Sequence, residues 1–185
     1  MKRIVLLLAV AVAAVLAGCG SAPGGKPATA APAFNDADVM FLQMVLAYHG
    51  PSEQLTALAA QRAVRTEVKQ LAAAIAVTEA DEVTTITGWL RAWNQPETPA
   101  TDLVLHADHG GLPSDGKAQL ATLTATPGDA FDKTFLTLLI GHQHGVVEVA
   151  RMELAGGVHP EVKALAQRIT DSRRAQVSYM LSLAA

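Results

Sequence analysis

Two stretches decide the fold of this chain: VRTEVKQLAAAI at residues 64–75 and VHPEVKALAQRI at residues 158–169. The second follows the first at an offset of 94 positions and repeats its residues at seven of twelve sites. The same offset pairs Asp38, Phe41, Leu42 and Val83 with Asp132, Phe135, Leu136 and Val177. A repeat of this length indicates that one structural unit has been duplicated. The sequence therefore predicts two similar helical hairpins packed around a pseudo-twofold axis.

The first unit is predicted to form two helices. Asn35 is a favoured N-cap residue, and Asp38 follows three positions later, at the spacing of a capping box. Apolar residues then recur at helical spacing on one stripe, and Pro51 is expected to kink this helix. A second helix, with an apolar stripe of its own, is expected from about Thr66 to Trp93.

The second unit repeats this plan. Asp129 is the expected cap of a helix that runs through Leu154, Gly156 and Gly157 stop it, and Pro160 opens the last helix. Because no segment shows the alternation of β-branched residues that a strand needs, the fold class is predicted to be all-α.

A long connector, residues 94–128, separates the halves at about 34–93 and 129–185. It is rich in Pro, Gly, Asp and Thr, and one short helix is expected within it from Ser114 to Thr124. A connection of this length is typical of a crossover between hairpins. We therefore predict a ferritin-like four-helix bundle over residues 34–185, built from two duplicated hairpins.

The N-terminus has the pattern of a bacterial lipoprotein signal peptide. Residues 1–18 contain a basic start, an apolar run too short to span a bilayer easily, and small residues before a cysteine. The motif Leu16-Ala17-Gly18-Cys19 resembles the lipobox, which is cleaved before a cysteine whose thiol carries a diacylglycerol. Residues 19–33 have the Gly, Pro, Ala and Ser composition of a flexible tether. The sequence thus predicts an exported domain, anchored to the membrane through Cys19 and facing the extracytoplasmic side.

Composition argues against several functional classes. A net charge of -3 and an aromatic content of 4% give neither a basic patch nor a stacking platform, so nucleic acid is not an expected partner. The chain has no G-x-S-x-G motif and no phosphate-binding glycine loop, and its single cysteine is the predicted lipidation site. We therefore expect a non-enzymatic protein, and the sequence names no protein partner for it.

The segment FLTLLIGHQHGVVEVA at residues 135–150 resembles the signature of the bacterial domain of unknown function 305, roughly F-L-x-x-M-I-x-H-H-x-x-A-x-x-M-A. The resemblance covers both halves, from about Phe34 to Leu183. It implies a ferritin-like bundle of the cell envelope, often secreted or lipid-anchored, and some members are linked to copper binding or copper tolerance. The family's paired histidines correspond here to His142 and Gln143 in the second unit and to Tyr48 and His49 in the first.

A transition-metal site near the bundle centre, with copper as the first candidate, is one interpretation of these positions. Helical spacing places His142, Glu79 and Glu82 on core-facing stripes, where a carboxylate needs a partner or a cation. Further candidate ligands, two of which are spaced i, i+4, are His49, His144 and Glu148. The Glu-x-x-His motif of di-iron bundles is missing from this set.

The alternative is a metal-free polar cluster. The offset of 94 places Arg173 opposite Glu79 and Gln176 opposite Glu82, so an arginine could neutralise the carboxylates. In that case the protein would be a structural or protein-interaction module. The sequence leaves both interpretations open.

Overall fold

The computed structural model describes residues 33–101 and 112–185, and this part of the chain is helical with no strand. Its helices are α1 (Asp36–Arg62), α2 (Thr66–Ala92), α3 (Lys117–Ala125), α4 (Gly128–Gly156) and α5 (Pro160–Ala184). The prediction of an all-α bundle is confirmed. The predicted signal peptide, the lipidation site Cys19 and nearly all of the predicted tether lie outside the described residues.

Several helix ends follow the predicted chemistry, although α4 continues past Leu154 through Gly156 and ends before Gly157. Asn35 and Asp38 form the predicted capping box, and Pro160 occupies the first turn of α5. However, Asp129 does not cap α4, because this helix already begins at Gly128 after Pro127. Asp129 instead lies in the first turn, where its negative charge interacts favourably with the positive end of the helix dipole.

The connector helix begins later than predicted. Gly116 precedes it with a φ of 73°, in the left-handed region that favours glycine. A Cβ at Gly116 would also collide with the Pro51 ring, so this turn is packed directly against α1. The helix therefore starts at Lys117 rather than at Ser114. The helix α1 itself continues as one element through Pro51.

The two hairpins pack in an antiparallel arrangement through α1 and α4. The start of α1 lies beside the end of α4, and the end of α1 lies beside the start of α4. Because α2 runs back along α1, it ends at the level at which α1 began, at the opposite end of the bundle from the start of α4. The connector between them is the predicted crossover, and α3 packs against α1 and α4 along it.

Two aspartates interlock the hairpins. Asp38 of α1 accepts hydrogen bonds from the backbone N–H groups of Val158 and His159, at 3.2 and 3.0 Å, in the turn before α5. Asp132 of α4 accepts the equivalent bonds from Val64 and Arg65, at 2.8 and 2.9 Å, in the turn before α2. We call these ends of the bundle the Asp38 pole and the Asp132 pole. Each hairpin thus caps the second helix of the other.

The apolar core consists of two clusters, one toward each pole. The cluster at the Asp38 pole contains Phe41, Leu42, Ile86, Val162 and Ile169, among others. The cluster at the Asp132 pole contains Phe135, Leu136, Val68, Ile75 and Leu139, among others. Buried polar residues lie between them, and the candidate site is therefore a layer across the middle of the bundle.

Among the residues that the structure describes, no helix is both long enough and apolar enough to cross a membrane.

Candidate functional site

The middle of the bundle is a polar layer, to which the four long helices contribute two residues each. Its members, named in chain order, are His49, Ser52, Glu79, Glu82, His142, Gln143, Arg173 and Gln176. We call this set the central polar layer. It contains four of the six residues predicted as metal ligands and all four of the predicted polar cluster.

Arg173 is the centre of this layer. Its side chain is completely buried, and its Nη2 lies 2.6 Å from Glu82 Oε2 and 3.6 Å from Glu79 Oε1. The closer of these contacts is a charge-assisted hydrogen bond. The offset placed Arg173 opposite Glu79, whereas its shorter contact is to Glu82, one helical turn further along α2.

Both carboxylates have further partners on α1. His49 Nε2 donates to Glu82 Oε2 over 2.9 Å, and Ser52 Oγ donates to Glu79 Oε1 over 3.0 Å. Burial raises the pKa of Glu79, while Arg173, His49 and the Ser52 hydrogen bond oppose that rise. One guanidinium and two α1 side chains therefore solvate a pair of carboxylates that water reaches poorly.

The pseudo-twofold axis explains the pairing in the layer. The offset of 94 takes His49 and Glu82 to Gln143 and Gln176, and these glutamines are hydrogen-bonded in turn, with Gln143 Nε2 donating to Gln176 Oε1 over 3.0 Å. Gln176, expected opposite Glu82, therefore pairs within its own hairpin. Equivalent positions therefore pair in both hairpins, as a histidine with a carboxylate in the first and as two neutral amides in the second.

His142 faces Tyr48 across the axis. Their rings meet edge to face at a centroid separation of 5.3 Å, and these two positions are also related by the offset of 94. Burial, helped by the nearby His49 and Arg173, lowers the pKa of His142 to about 4. The imidazole is therefore neutral at pH 7. Gly145, one turn further on, leaves the space that the Tyr48 ring fills.

The remaining predicted ligands do not join the layer. His144 and Glu148 are exposed on α4, and Glu148 accepts a hydrogen bond from Arg151 Nη1 over 2.9 Å. In the described parts of the chain, no group of three or more His, Cys, Asp or Glu side chains is placed to hold a metal ion.

The central polar layer fits a hard divalent cation poorly, because Arg173 already occupies the space between the two carboxylates. The buried polar atoms of the layer that have no hydrogen-bond partner in the described residues are His49 Nδ1, His142 Nε2, Glu79 Oε2, Gln143 Oε1, Arg173 Nε and Arg173 Nη1. Imidazole nitrogens suit copper better than the hard cations that carboxylates bind. A soft metal would therefore find its best ligands at the two imidazole nitrogens, His49 Nδ1 and His142 Nε2.

Sequence reasoning missed two members of the layer. Ser52 lies one turn beyond His49 and is completely buried, yet a serine in a helix next to Pro51 gives no signal of its role. Gln143 could have been found, because the offset relates it to His49.

Residues 38–184 match the family described as Domain of unknown function (DUF305). This chain belongs to the DUF305 family. The match covers α1 to α5, and with them the central polar layer and both poles of the bundle. The predicted family is thereby confirmed.

Solved structures of two DUF305 proteins and of CopM show the same fold. A DUF305 fragment from Deinococcus radiodurans is similar with a TM-score of 0.70 at 25% identity, over 81% of this chain and 96% of that one. A candidate secreted DUF305 protein from Streptomyces coelicolor is similar with a TM-score of 0.71 at 23% identity, over 80% of this chain and 89% of that one. CopM in its Cu(II)-bound form is similar with a TM-score of 0.66 at 23% identity, over 80% of this chain and 95% of that one. CopM has also been solved with Cu(I) and with silver. No curated protein matches the chain.

Proposed function

We propose that this DUF305 protein is a non-enzymatic envelope lipoprotein whose buried carboxylates are paired with its own arginine, and that it acts as a metal-free structural or protein-interaction module. The observation that carries this proposal is the placement of Arg173, completely buried and bonded to Glu82 with Glu79 close by. A guanidinium in this position supplies the positive charge that a bound cation would otherwise provide.

The energetics favour the arginine over an entering ion. A cation that used Glu79 and Glu82 would have to displace a buried charge and leave it without a partner, which costs several kcal/mol, roughly 3–5 in comparable pairs. The thioethers give no alternative site in the layer, because Met44 and Met180 are packed in the two apolar clusters. The protein should therefore fold and function without a metal.

A metal titration tests this proposal. The purified protein is titrated with Cu(I), Ag(I), Cu(II) and Zn(II) under competition with a chelator, beside His142→Ala and the exposed control His144→Ala. We expect no stoichiometric binding that depends on His142. One tightly bound ion that is lost in His142→Ala and kept in His144→Ala would overturn the metal-free proposal.

That contrary result would establish the second candidate function, a site for copper or another soft transition metal. It is favoured by the unpartnered His49 Nδ1 and His142 Nε2 and by the lowered pKa of His142, which leaves a neutral imidazole ready to bind. CopM, a structural neighbour, is known in Cu(I), Cu(II) and silver complexes. In this chain the two imidazoles would be the ligands of such an ion.

The proposed anchor is tested separately. Its support is the lipobox-like motif that ends at Cys19, the only cysteine of the chain. Two or three acyl chains, each contributing about 0.8 kcal/mol per buried methylene, would hold the domain firmly at a membrane. The full chain should enter the detergent phase on Triton X-114 partition, and Cys19→Ser should remain in the aqueous phase. Ser21→Ala is the control, and Cys19→Ser in the detergent phase would contradict lipidation.

A further inference from the structure

A buried glutamate at the Asp38 pole has no part in the central polar layer. Glu153, near the end of α4, is 1% exposed. Neither of its carboxyl oxygens receives a hydrogen bond from an N–H or O–H group of the described residues. A Cβ on Gly157 would collide with this carboxyl group, so the glutamate is held tightly under the turn that leads to α5.

Under this turn Glu153 meets the carboxyl of Asp38, close enough for the two to share a hydrogen bond when one of them holds a proton. Asp38 is completely buried, and it accepts the backbone N–H groups of Asn35, Val158 and His159. Two ionised carboxylates have only acceptors, so the bond between them requires a proton on one. Asp38 has the N–H donors that favour its ionised form, which leaves the proton on Glu153.

We propose that Asp38 and Glu153 form a pH-sensitive latch, which holds the α4–α5 turn to the start of α1 while Glu153 is protonated and loosens it when Glu153 ionises. Ionisation removes the only hydrogen in the bond and places two negative charges together in a site with little water. The strain falls on the N–H bonds of Val158 and His159, because these also end on Asp38.

The Asp132 pole is an internal control for this inference. The offset of 94 takes Glu153 to Ala59, so the buried glutamate of the Asp38 pole has no counterpart beside Asp132. Asp132 instead faces a cation, with Arg65 Nε at 3.3 Å. The two poles share the same backbone bonds and differ in the charge around them, and only the Asp38 pole should respond to alkaline pH.

The other charged and titratable groups near Glu153 come from α5 and the turn before it. Lys163 Nζ bonds to Gly157 O over 3.2 Å, and its charge favours the ionised form of Glu153. The ring of His159 accepts the N–H of Val162 through Nδ1. From α1, Asp38 is the group that acts on Glu153. Burial, the Asp38 hydrogen bond and the Asp38 charge outweigh Lys163 and raise the pKa of Glu153 to about 8, from 4.5.

The direction of the pH effect follows from this pKa. Between pH 4.5 and about 8 the folded protein holds a proton that the unfolded chain has lost, so stability falls as pH rises through this interval. Burial alone would raise the pKa of Asp38, but the N–H groups of Asn35 and His159 and the Glu153 hydrogen bond lower it. Asp38 therefore stays ionised throughout.

The test compares thermal unfolding of the full chain, Glu153→Gln and Glu148→Gln from pH 5 to pH 9. The amide introduced by Glu153→Gln keeps the shape of the side chain and donates to Asp38 at every pH, while Glu148 is an exposed glutamate of the same helix. Between the two ends of this pH range, the melting temperatures of wild type and Glu148→Gln should fall by about 5 °C or more beyond any fall in Glu153→Gln. Parallel pH profiles for wild type and Glu153→Gln would overturn the proposal.

Two measurements on the wild-type protein keep the test independent of how the variant folds. A carboxyl-carbon NMR titration should place the Glu153 midpoint near 8, and a midpoint near 4.5 would refute the latch. Amide exchange, corrected for its intrinsic pH dependence, should accelerate above pH 8 at Val158 and His159 and not at Val64 and Arg65. Equal behaviour at the two poles would also refute it.

Discussion

Arg173 is the residue on which the central polar layer depends. Its guanidinium carries a permanent charge and several N–H donors, so it can serve Glu82 and Glu79 from one position. A lysine would offer a point charge on a flexible stem and would not reproduce this geometry. The arginine is completely buried, and its loss would leave two carboxylates in the core without their counter-ion.

Arg173→Met should therefore destabilise the protein by about 3–5 kcal/mol, because it removes one partner of a buried ion pair. Urea unfolding measures this, and Arg174→Met, at the exposed neighbouring position, is the control with little expected effect. Adding Glu79→Gln and Glu82→Gln to Arg173→Met should restore much of the loss. No recovery in the triple variant would mean that Arg173 contributes packing rather than charge.

Gly145 gives a second prediction at this scale. A Cβ there would lie 2.6 Å from Tyr48 Oη, whereas a Cβ at Gly141 would meet nothing within 4 Å. Both glycines are on α4, so Gly145→Ala and Gly141→Ala form a matched pair. Gly145→Ala should cost about 1–3 kcal/mol through displacement of Tyr48. Gly141→Ala should be neutral or stabilise the helix by up to about 1 kcal/mol. Equal melting temperatures would show that Tyr48 moves without cost.

At the scale of elements, the helix ends hold the hairpins together. The capping box of Asn35 and Asp38 was predictable from spacing, because it involves neighbours in the chain. The second role of Asp38, as acceptor for the turn before α5, was not, since its partners are 120 and 121 positions away. Identity between Asp38 and Asp132 was the only sign of this role in the sequence.

Asp132→Ala should destabilise the protein by about 1–3 kcal/mol, because the backbone N–H groups of Val64 and Arg65 lose their acceptor. Asp129→Ala, an exposed residue in the first turn of the same helix, should cost about 0.3–1 kcal/mol through the helix dipole alone. Denaturant midpoints compare the two. A larger loss for Asp129→Ala would contradict the capping role of Asp132.

At the scale of the whole molecule, neither hairpin is complete by itself. The first helix of each hairpin supplies the aspartate that caps the second helix of the other. The central polar layer is likewise shared, since its carboxylates come from α2 and their arginine comes from α5. Folding of one half should therefore require the other.

Polypeptides 33–101 and 112–185, made separately, should each show little helix by circular dichroism and no cooperative thermal transition. Mixing them should restore helicity and a cooperative transition, because the caps and the polar layer then find their partners. The mixture with Asp132→Ala in the second polypeptide should assemble more weakly. Cooperative unfolding of one polypeptide alone would show that the hairpins are independent.

The sequence by itself determined the fold class, the four long helices, the duplication and the family, because these depend on local spacing and on a repeat that survives in the chain. It also placed Glu79, Glu82 and Arg173 on buried stripes. Only the tertiary structure placed Arg173 against the two carboxylates, and only it brought Asp38 and Glu153 together. Those outcomes depend on which side chains meet across helices about 90 to 120 positions apart, and spacing along one helix does not specify that.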